Sequence, residues 1–213
     1  VAARWKPARE VSGDYYDVLR LDDSRLAVCI GDVVGKGMPA ALLMSSLQAA
    51  LKAVAHQTGS PKDVCTQVRD VMLQSLAGGT FVTFFFCVID REKGRISYCN
   101  AGHNPPLLVR GDGTLIHLDV GGPIFARIAA DRPYQEASVN ITAGDRLVLY
   151  TDGVTEAEDA EGEMYEDWRL ERLLLENNRA PAAELESTIA ETVLTHAQGK
   201  LQDDLTLVVV AIG

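Results

Sequence analysis

No apolar run in this sequence approaches the roughly 20 residues needed to cross a bilayer, so no transmembrane helix is expected. A basic start followed by an apolar stretch is also missing, and with it any visible signal peptide. The chain opens on Val1 and not on Met, and is read as a fragment or a processed product. There is no excess of positive charge: 20 Lys and Arg stand against 30 Asp and Glu, a net charge of −10. A nucleic-acid partner needs a cationic footprint to displace counterions from phosphates, so that class is excluded. Anionic membranes are poor partners for the same reason. No CxxC pair occurs among Cys29, Cys65, Cys87 and Cys99. Zinc-ligand spacing is therefore absent, and a disulfide framework is not expected at this length without a secretory signal. The four thiols read as reduced core residues of a cytoplasmic protein. Internal repeats, low-complexity stretches and linkers are lacking too.

What remains is an ordinary globular balance. Of the 213 residues 47% are apolar and 23% charged, enough for one domain with a substantial core. The charge is uneven: residues 151–213 hold 4 basic and 15 acidic side chains. Metal cations fit such a surface better than polyanions do.

Alternating apolar residues predict a hairpin over 15–21 and 25–34, turning at Asp22-Asp23-Ser24. Gly35-Lys36-Gly37-Met38-Pro39 then opens a helix running to about His56, apolar almost all round and so expected to be covered on more than one side. A second helix is predicted from Ser60-Pro61 to Leu76. Strands follow at 81–90 and 95–100, at 107–110 and 114–118, and at 138–141 and 146–150. Two helices, near 168–176 and 182–196, precede a continuously apolar strand, 205–212, that reads as central and buried. Paired hairpins with helix pairs between them argue for α+β layers: two antiparallel sheets with helices outside.

Four acidic segments share a pattern at predicted strand ends. They are Ser12-Gly13-Asp14, Gly31-Asp32-Val33, Tyr150-Thr151-Asp152-Gly153 and Gln202-Asp203-Asp204-Leu205. Any one of them alone reads as an ordinary turn aspartate, as Asp22, Asp23, Asp112 and Asp145 do. Together they suit a hard divalent cation, which prefers oxygen ligands. Three carboxylates converging at about 4 Å would repel by roughly 4 kcal/mol per pair at an effective dielectric near 20, and a cation removes that cost.

The combination resembles the metal-dependent protein phosphatases of the protein phosphatase 2C type, and more closely their SpoIIE-like, sigma-factor-regulating branch. The segments that carry the resemblance are PAREVSGDYYD (7–17), IGDVVGKGMPAALLM (30–44), FVTFFFCVID (81–90), YCNAGHNPPLL (98–108), LVLYTDGVTEAED (147–159) and QDDLTLVVV (202–210). They occur in family order over nearly the whole chain. The resemblance implies a four-layer αββα sandwich and two bound Mn²⁺ or Mg²⁺ ions. By the same match Asp32 would bridge the two metals and the Val33 carbonyl would ligate one of them. Asp152 and Asp203 would hold the other, and Asp14 would reach metal through water. Asp204 matches a neighbour that hydrogen-bonds, although which of Asp203 and Asp204 binds metal stays open. Asp32 and Asp152 would act through a metal-activated water that attacks a phosphoserine or phosphothreonine in line. The implied substrate is a phosphorylated regulator, an anti-sigma-factor antagonist of the STAS type. A missing N-terminal sensory or receiver domain is implied as well, and a homodimer stands among the partners considered.

Other conspicuous residues carry less. His103, in Ala101-Gly102-His103-Asn104-Pro105-Pro106, reads foremost as part of a shaped loop, with a general acid as the alternative. Lys36 lies four residues after Asp32 and either attracts a substrate phosphate or is simply solvated. Gly35-Lys36-Gly37 lacks the spacing of a nucleotide-binding loop. The acidic run after Glu156 reads as a solvated loop. Two rival functions stay open: a catalytically silent partner-binding module, and a metal-dependent hydrolase of small phosphoesters.

Overall fold

The computed structural model describes residues 1–8 and 10–213; Arg9, within the first quoted segment, lies outside the described residues. The backbone groups into two compact units, each assembled from separate stretches of chain.

One unit comprises Val11–His103 and Asp119–Ile141. Strands β2 (Tyr15–Arg20), β3 (Arg25–Val33), β4 (Val82–Asp90) and β5 (Arg95–Ala101) form an antiparallel meander. Beyond β5 the sheet is completed by β8 (Gly121–Gly122), which runs parallel to it, and by antiparallel β9 (Ala137–Asn140). The β2–β3 turn forms where the sequence places it. Asp22 accepts hydrogen bonds from the backbone N–H groups of Ser24 and Arg25, and its other oxygen accepts from the Arg25 guanidinium. Those donors, Arg25 first, hold the Asp22 carboxyl down to about 2.

Helices α1 (Met38–Val54) and α2 (Pro61–Ser75) pack against each other and onto this sheet. Ser60 caps α2, its hydroxyl accepting from the Asp63 N–H, and Pro61 occupies the first turn. Together they account for two of the four backbone positions that a helix start leaves without a partner, one by accepting and one by having no N–H. The expectation for α1 needs correction. Its buried face is Ala40, Leu47, Ala50, Leu51 and Val54, but Met38 and Leu42 are each 63% exposed. An all-round apolar sequence sets no limit on how much of a helix is covered; the neighbouring elements do. The core of this unit gathers Val33, Leu47, Leu51, Val68, Met72, Phe84 and Phe86 among others.

The other unit comprises Val1–Glu10, Asn104–Leu118 and Thr142–Gly213. Its five-stranded sheet has the order β1 (Ala2–Lys6), β11 (Leu205–Ala211), β10 (Arg146–Tyr150), β6 (Leu107–Val109), β7 (Leu115–His117), antiparallel throughout. Strand β11 is flanked on both sides and buried from Leu205 to Val210, as its unbroken apolar run predicts. Helix α5 (Ala182–His196) lies along β1 and β11, with α4 (Asp167–Glu176) beside it. Leu170, Leu173, Leu174, Leu185, Ile189 and Val193 fill the core between them and the strands. A one-turn helix, α3 (Asp152–Thr155), follows β10 directly.

Two α+β modules, each a largely antiparallel sheet with a helix pair, match the layer expectation. The two strands expected at 138–141 and 146–150 are both present, at Ala137–Asn140 and Arg146–Tyr150, and belong to different sheets. Strand β9 joins β5 in one sheet, while β10 joins β11 and β6 in the other. All four cysteines are free and buried, as expected. Burial pushes the Cys87 thiol up to about 12. No helix among the described residues is long and apolar enough to cross a membrane.

Candidate functional site

Each of the four acidic segments is placed by a specific close contact within its own unit. In the unit built on β2–β5, Ser12-Gly13-Asp14 runs beside the end of β3. The Val33 N–H donates to the Gly13 carbonyl at 3.4 Å. A side chain at Gly13 would stand 2.8 Å from the Val33 carbonyl oxygen, so this approach requires glycine. Asp14 is buried, and its N–H donates to the Ser12 hydroxyl at 3.0 Å. Asp32 is half-buried near the end of β3, opposite Thr83 of β4 in the ladder. Asp14, Asp32 and the Val33 carbonyl are thus carried by adjoining backbone.

Behind Asp32, Thr83 meets His103: the Thr83 hydroxyl and His103 Nδ1 are 2.7 Å apart. Asn100 clamps the same loop from both sides. Its amide donates to the His103 carbonyl at 3.0 Å, and its carbonyl oxygen accepts from the His103 N–H at 2.8 Å. His103 is buried, which agrees with the loop-shaping reading. Lys36 is exposed in the turn that leads into α1.

In the other unit, the end of β10 and the start of β11 are stitched together. The Thr151 N–H donates to the Thr206 carbonyl and the Thr206 N–H to the Thr151 hydroxyl, both at 3.1 Å. The Thr151 hydroxyl donates to the Asp204 carbonyl at 3.3 Å. Gly153 then packs so tightly that a Cβ there would lie 2.0 Å from the Asp204 carbonyl oxygen. This brings Asp152, the first residue of α3, next to the Asp203-Asp204 turn. The two adjacent aspartates do different things. Asp204 is buried, and its carboxylate accepts from the Ala8 N–H at 2.7 Å. Asp203 is half-buried, and one of its oxygens accepts from the Asp204 N–H at 2.8 Å.

A carboxylate that sequence reasoning passed over joins them. Glu156 stands one helical turn after Asp152, and its N–H donates to the Asp152 carbonyl at 2.7 Å. Desolvation first, then the charges of Asp152, Asp203 and Asp167, push the Glu156 carboxyl above its ordinary value. The i, i+4 spacing of Asp152 and Glu156 was the available signal. Mutually repelling carboxylates, with oxygen as their only donor atom, fit a hard divalent cation. Soft metals would want thiolate or imidazole, and the thiols of Cys29, Cys65, Cys87 and Cys99 are buried. Among the described residues no group of three or more His, Cys, Asp or Glu is closed tightly enough to hold an ion.

Known proteins resemble this chain along almost its full length. The family model for stage II sporulation protein E (SpoIIE) matches residues 22–213. The phosphoserine phosphatase RsbU of Bacillus subtilis is 32% identical over 204 residues, covering 95% of this chain and 60% of the relative. Protein IcfG of Synechocystis is also 32% identical, over 241 residues, covering 99% of this chain and 37% of that protein. The chain therefore spans between about a third and three fifths of these relatives' length. Among solved structures, the RsbU and RsbW domains of a Mycobacterium tuberculosis protein align with a TM-score of 0.85 at 28% identity, covering 98% of this chain and 58% of that one. The PP2C domain of SiaA from Pseudomonas aeruginosa aligns at 0.87 and 21% identity, covering 100% and 85%, which speaks to fold alone. The αββα fold expected from the sequence is thus that of the solved PP2C-type domains, and the chain belongs to the SpoIIE family.

Proposed function

We propose that the chain is a metal-dependent protein serine/threonine phosphatase acting on a phosphorylated regulator in sigma-factor control. The observation that carries this reading is that the Thr151 and Gly153 contacts set Asp152 against the Asp203-Asp204 turn, so that carboxylates far apart in sequence meet at one place. It sits in a chain with family relatives named as phosphoserine phosphatases.

In this reading Asp32, the Val33 carbonyl, Asp152 and Asp203 hold two Mn²⁺ or Mg²⁺ ions, with Asp14 reaching them through water. Bound there, the ions would make hydroxide available near neutral pH and offset charge on the phosphoryl oxygens. The chain supplies the rest. Asp204, fixed by the Ala8 N–H, holds the turn that presents Asp203. Thr151 and Gly153 set the position of Asp152. Lys36, exposed before α1, attracts the doubly charged phosphate from solvent. None of these groups forms a covalent bond to phosphorus. The buried Cys29, Cys65 and Cys87, with pKa values raised by burial, are unsuited to a thiolate route. A STAS-type antagonist as substrate and an upstream regulatory domain complete the proposal.

The test is phosphate release from a phosphoserine protein, with Mn²⁺ and with EDTA, for the native chain and for Asp152→Asn. Release that both EDTA and the substitution abolish is expected. Release indifferent to both would make the acidic turn structural.

A further inference from the structure

Three polar side chains stand in a row across one end of the β2–β5 sheet: Asp32 on β3, Thr83 on β4 and His103 just past β5. Asp32 and Thr83 are ladder partners, so their side chains leave the same face with Cβ atoms about 4.5–5.5 Å apart. Their chain neighbours Val33 and Phe84 turn the other way, into the core. Gly102 bridges to Phe84, which brings His103 alongside β4. There the Thr83 hydroxyl and His103 Nδ1 are 2.7 Å apart, a short hydrogen bond. Thr83 is the middle member of the row, between a carboxylate and an imidazole.

The imidazole end of the row is held in place. His103 is 4% exposed, and Asn100 fixes its backbone by bonds to both its N–H and its carbonyl. A ring buried to that degree is set to act on its neighbours, not on a protein substrate. The direction of the hydrogen bonds follows from counting protons. Thr83 has one hydroxyl proton, and an ionised carboxylate can only accept. If that proton goes to Nδ1, Thr83 has none to give Asp32. If Nδ1 carries its own proton, it donates to the Thr83 oxygen, and the hydroxyl proton turns to the Asp32 carboxylate. The second arrangement is favoured, because a hydrogen bond to an anion is about twice as strong as a neutral one. Polarised by that bond, the Thr83 oxygen also becomes a better acceptor for Nδ1–H.

We propose that Thr83 and His103 are positioning residues for Asp32. His103 Nδ1–H donates to the Thr83 hydroxyl, and that hydroxyl donates to the Asp32 carboxylate, holding it in one orientation for the metal ions. His103 thus acts through Thr83, from two strands away, on how tightly the ions bind. This rests on the metal-dependent reading, in which Asp32 is a ligand. Outer hydrogen bonds to a ligating carboxylate are worth about 10–100-fold in metal affinity.

The test is Mn²⁺ binding to the whole chain, followed by loss of the free-ion electron paramagnetic resonance signal, with circular dichroism to confirm folding. Thr83→Val keeps the shape of the side chain without its hydroxyl and is expected to weaken binding by about 10–100-fold. Thr83→Ser keeps the hydroxyl and is expected to bind much as the native chain does. His103→Asn has an amide that can donate from near the place of Nδ1, and is expected to hold an affinity that His103→Ala loses. That pair serves if Thr83→Val does not fold. In the metal-free native chain, the imidazole nitrogen NMR shifts are expected to show a proton on His103 Nδ1. A proton on Nε2 alone, Thr83→Val binding as the native chain does, or Thr83→Ser as weak as Thr83→Val would each overturn the proposal while leaving the metal reading standing. A native chain that binds no Mn²⁺ would overturn the metal reading, and the positioning role with it.

Discussion

The position of Asp152 is decided at Gly153, by the absence of one methyl group. An added Cβ would stand 2.0 Å from the Asp204 carbonyl oxygen and 2.8 Å from its carbon, both backbone atoms with no rotamer to escape into. Gly153→Ala therefore has to push α3 away from the Asp203-Asp204 turn. The expected cost is about 3 kcal/mol of stability, the upper range for overpacking a closed site. Phosphate release should fall by about 100-fold or more, since a displacement of about 1 Å is enough for that. Gly78 has nothing within 4 Å of its added Cβ. Gly78→Ala should accordingly change stability by less than about 0.5 kcal/mol, as exposed substitutions do. Chemical denaturation and the release assay, run on both variants, check this. Equal behaviour of the two would mean that α3 yields freely and that the contact at Gly153 positions nothing.

Elements whose local chemistry is complete were legible in the sequence. The β2–β3 hairpin carries its own turn aspartate, and α2 carries its own cap and proline. Strand β11 announces its burial by having no polar alternation between Leu207 and Val210. Where partners come from far along the chain, local signals gave out. Ala2–Lys6 became β1 only because β11 was there to pair with it, and Gly121–Gly122 became β8 only beside β5. The aspartates of the candidate site stood out by motif, but Glu156 did not, because its raised carboxyl depends on desolvation and on Asp203, far along the sequence. Asp145 shows the same limit. It reads as a turn residue, and it does accept from the Thr142 N–H, yet its carboxylate is buried and ion-paired with Arg110, just past β6. It is thus a strut between the ends of β6 and β10. Arg110→Ala would leave that carboxylate buried without its counter-charge, at an expected cost of about 3 kcal/mol in urea unfolding. Asp145→Asn should cost less, because Asn keeps an acceptor for Thr142 and the partly exposed Arg110 can turn to water. A cost for Arg110→Ala below about 1 kcal/mol, the value of a surface pair, would show that solvent screens this one.

Charge is divided unequally over the whole molecule. The unit containing β10 and β11 holds 9 basic and 18 acidic side chains, and the other unit 11 and 12. Self-repulsion on that scale destabilises the compact state, and a cation bound only by the folded chain offsets it. Linkage gives the size of the effect: at about 100 times its dissociation constant, Mn²⁺ adds about 2.7 kcal/mol. For a chain of this length that is about 5–10 °C in the thermal midpoint, reversible by EDTA. Asp32→Asn and Asp203→Asn should each lose most of that rise, since each takes a charged ligand from the proposed ion pair. Asp204→Asn should keep it, because an amide oxygen can still accept from the Ala8 N–H that now binds the carboxylate. Thermal unfolding of the four proteins with Mn²⁺ and with EDTA makes the comparison. A rise lost with Asp204→Asn and kept with Asp203→Asn would exchange the roles of the two aspartates. A rise kept in all three variants would place the cation elsewhere on the acidic surface and remove the physical basis of the metal assignment.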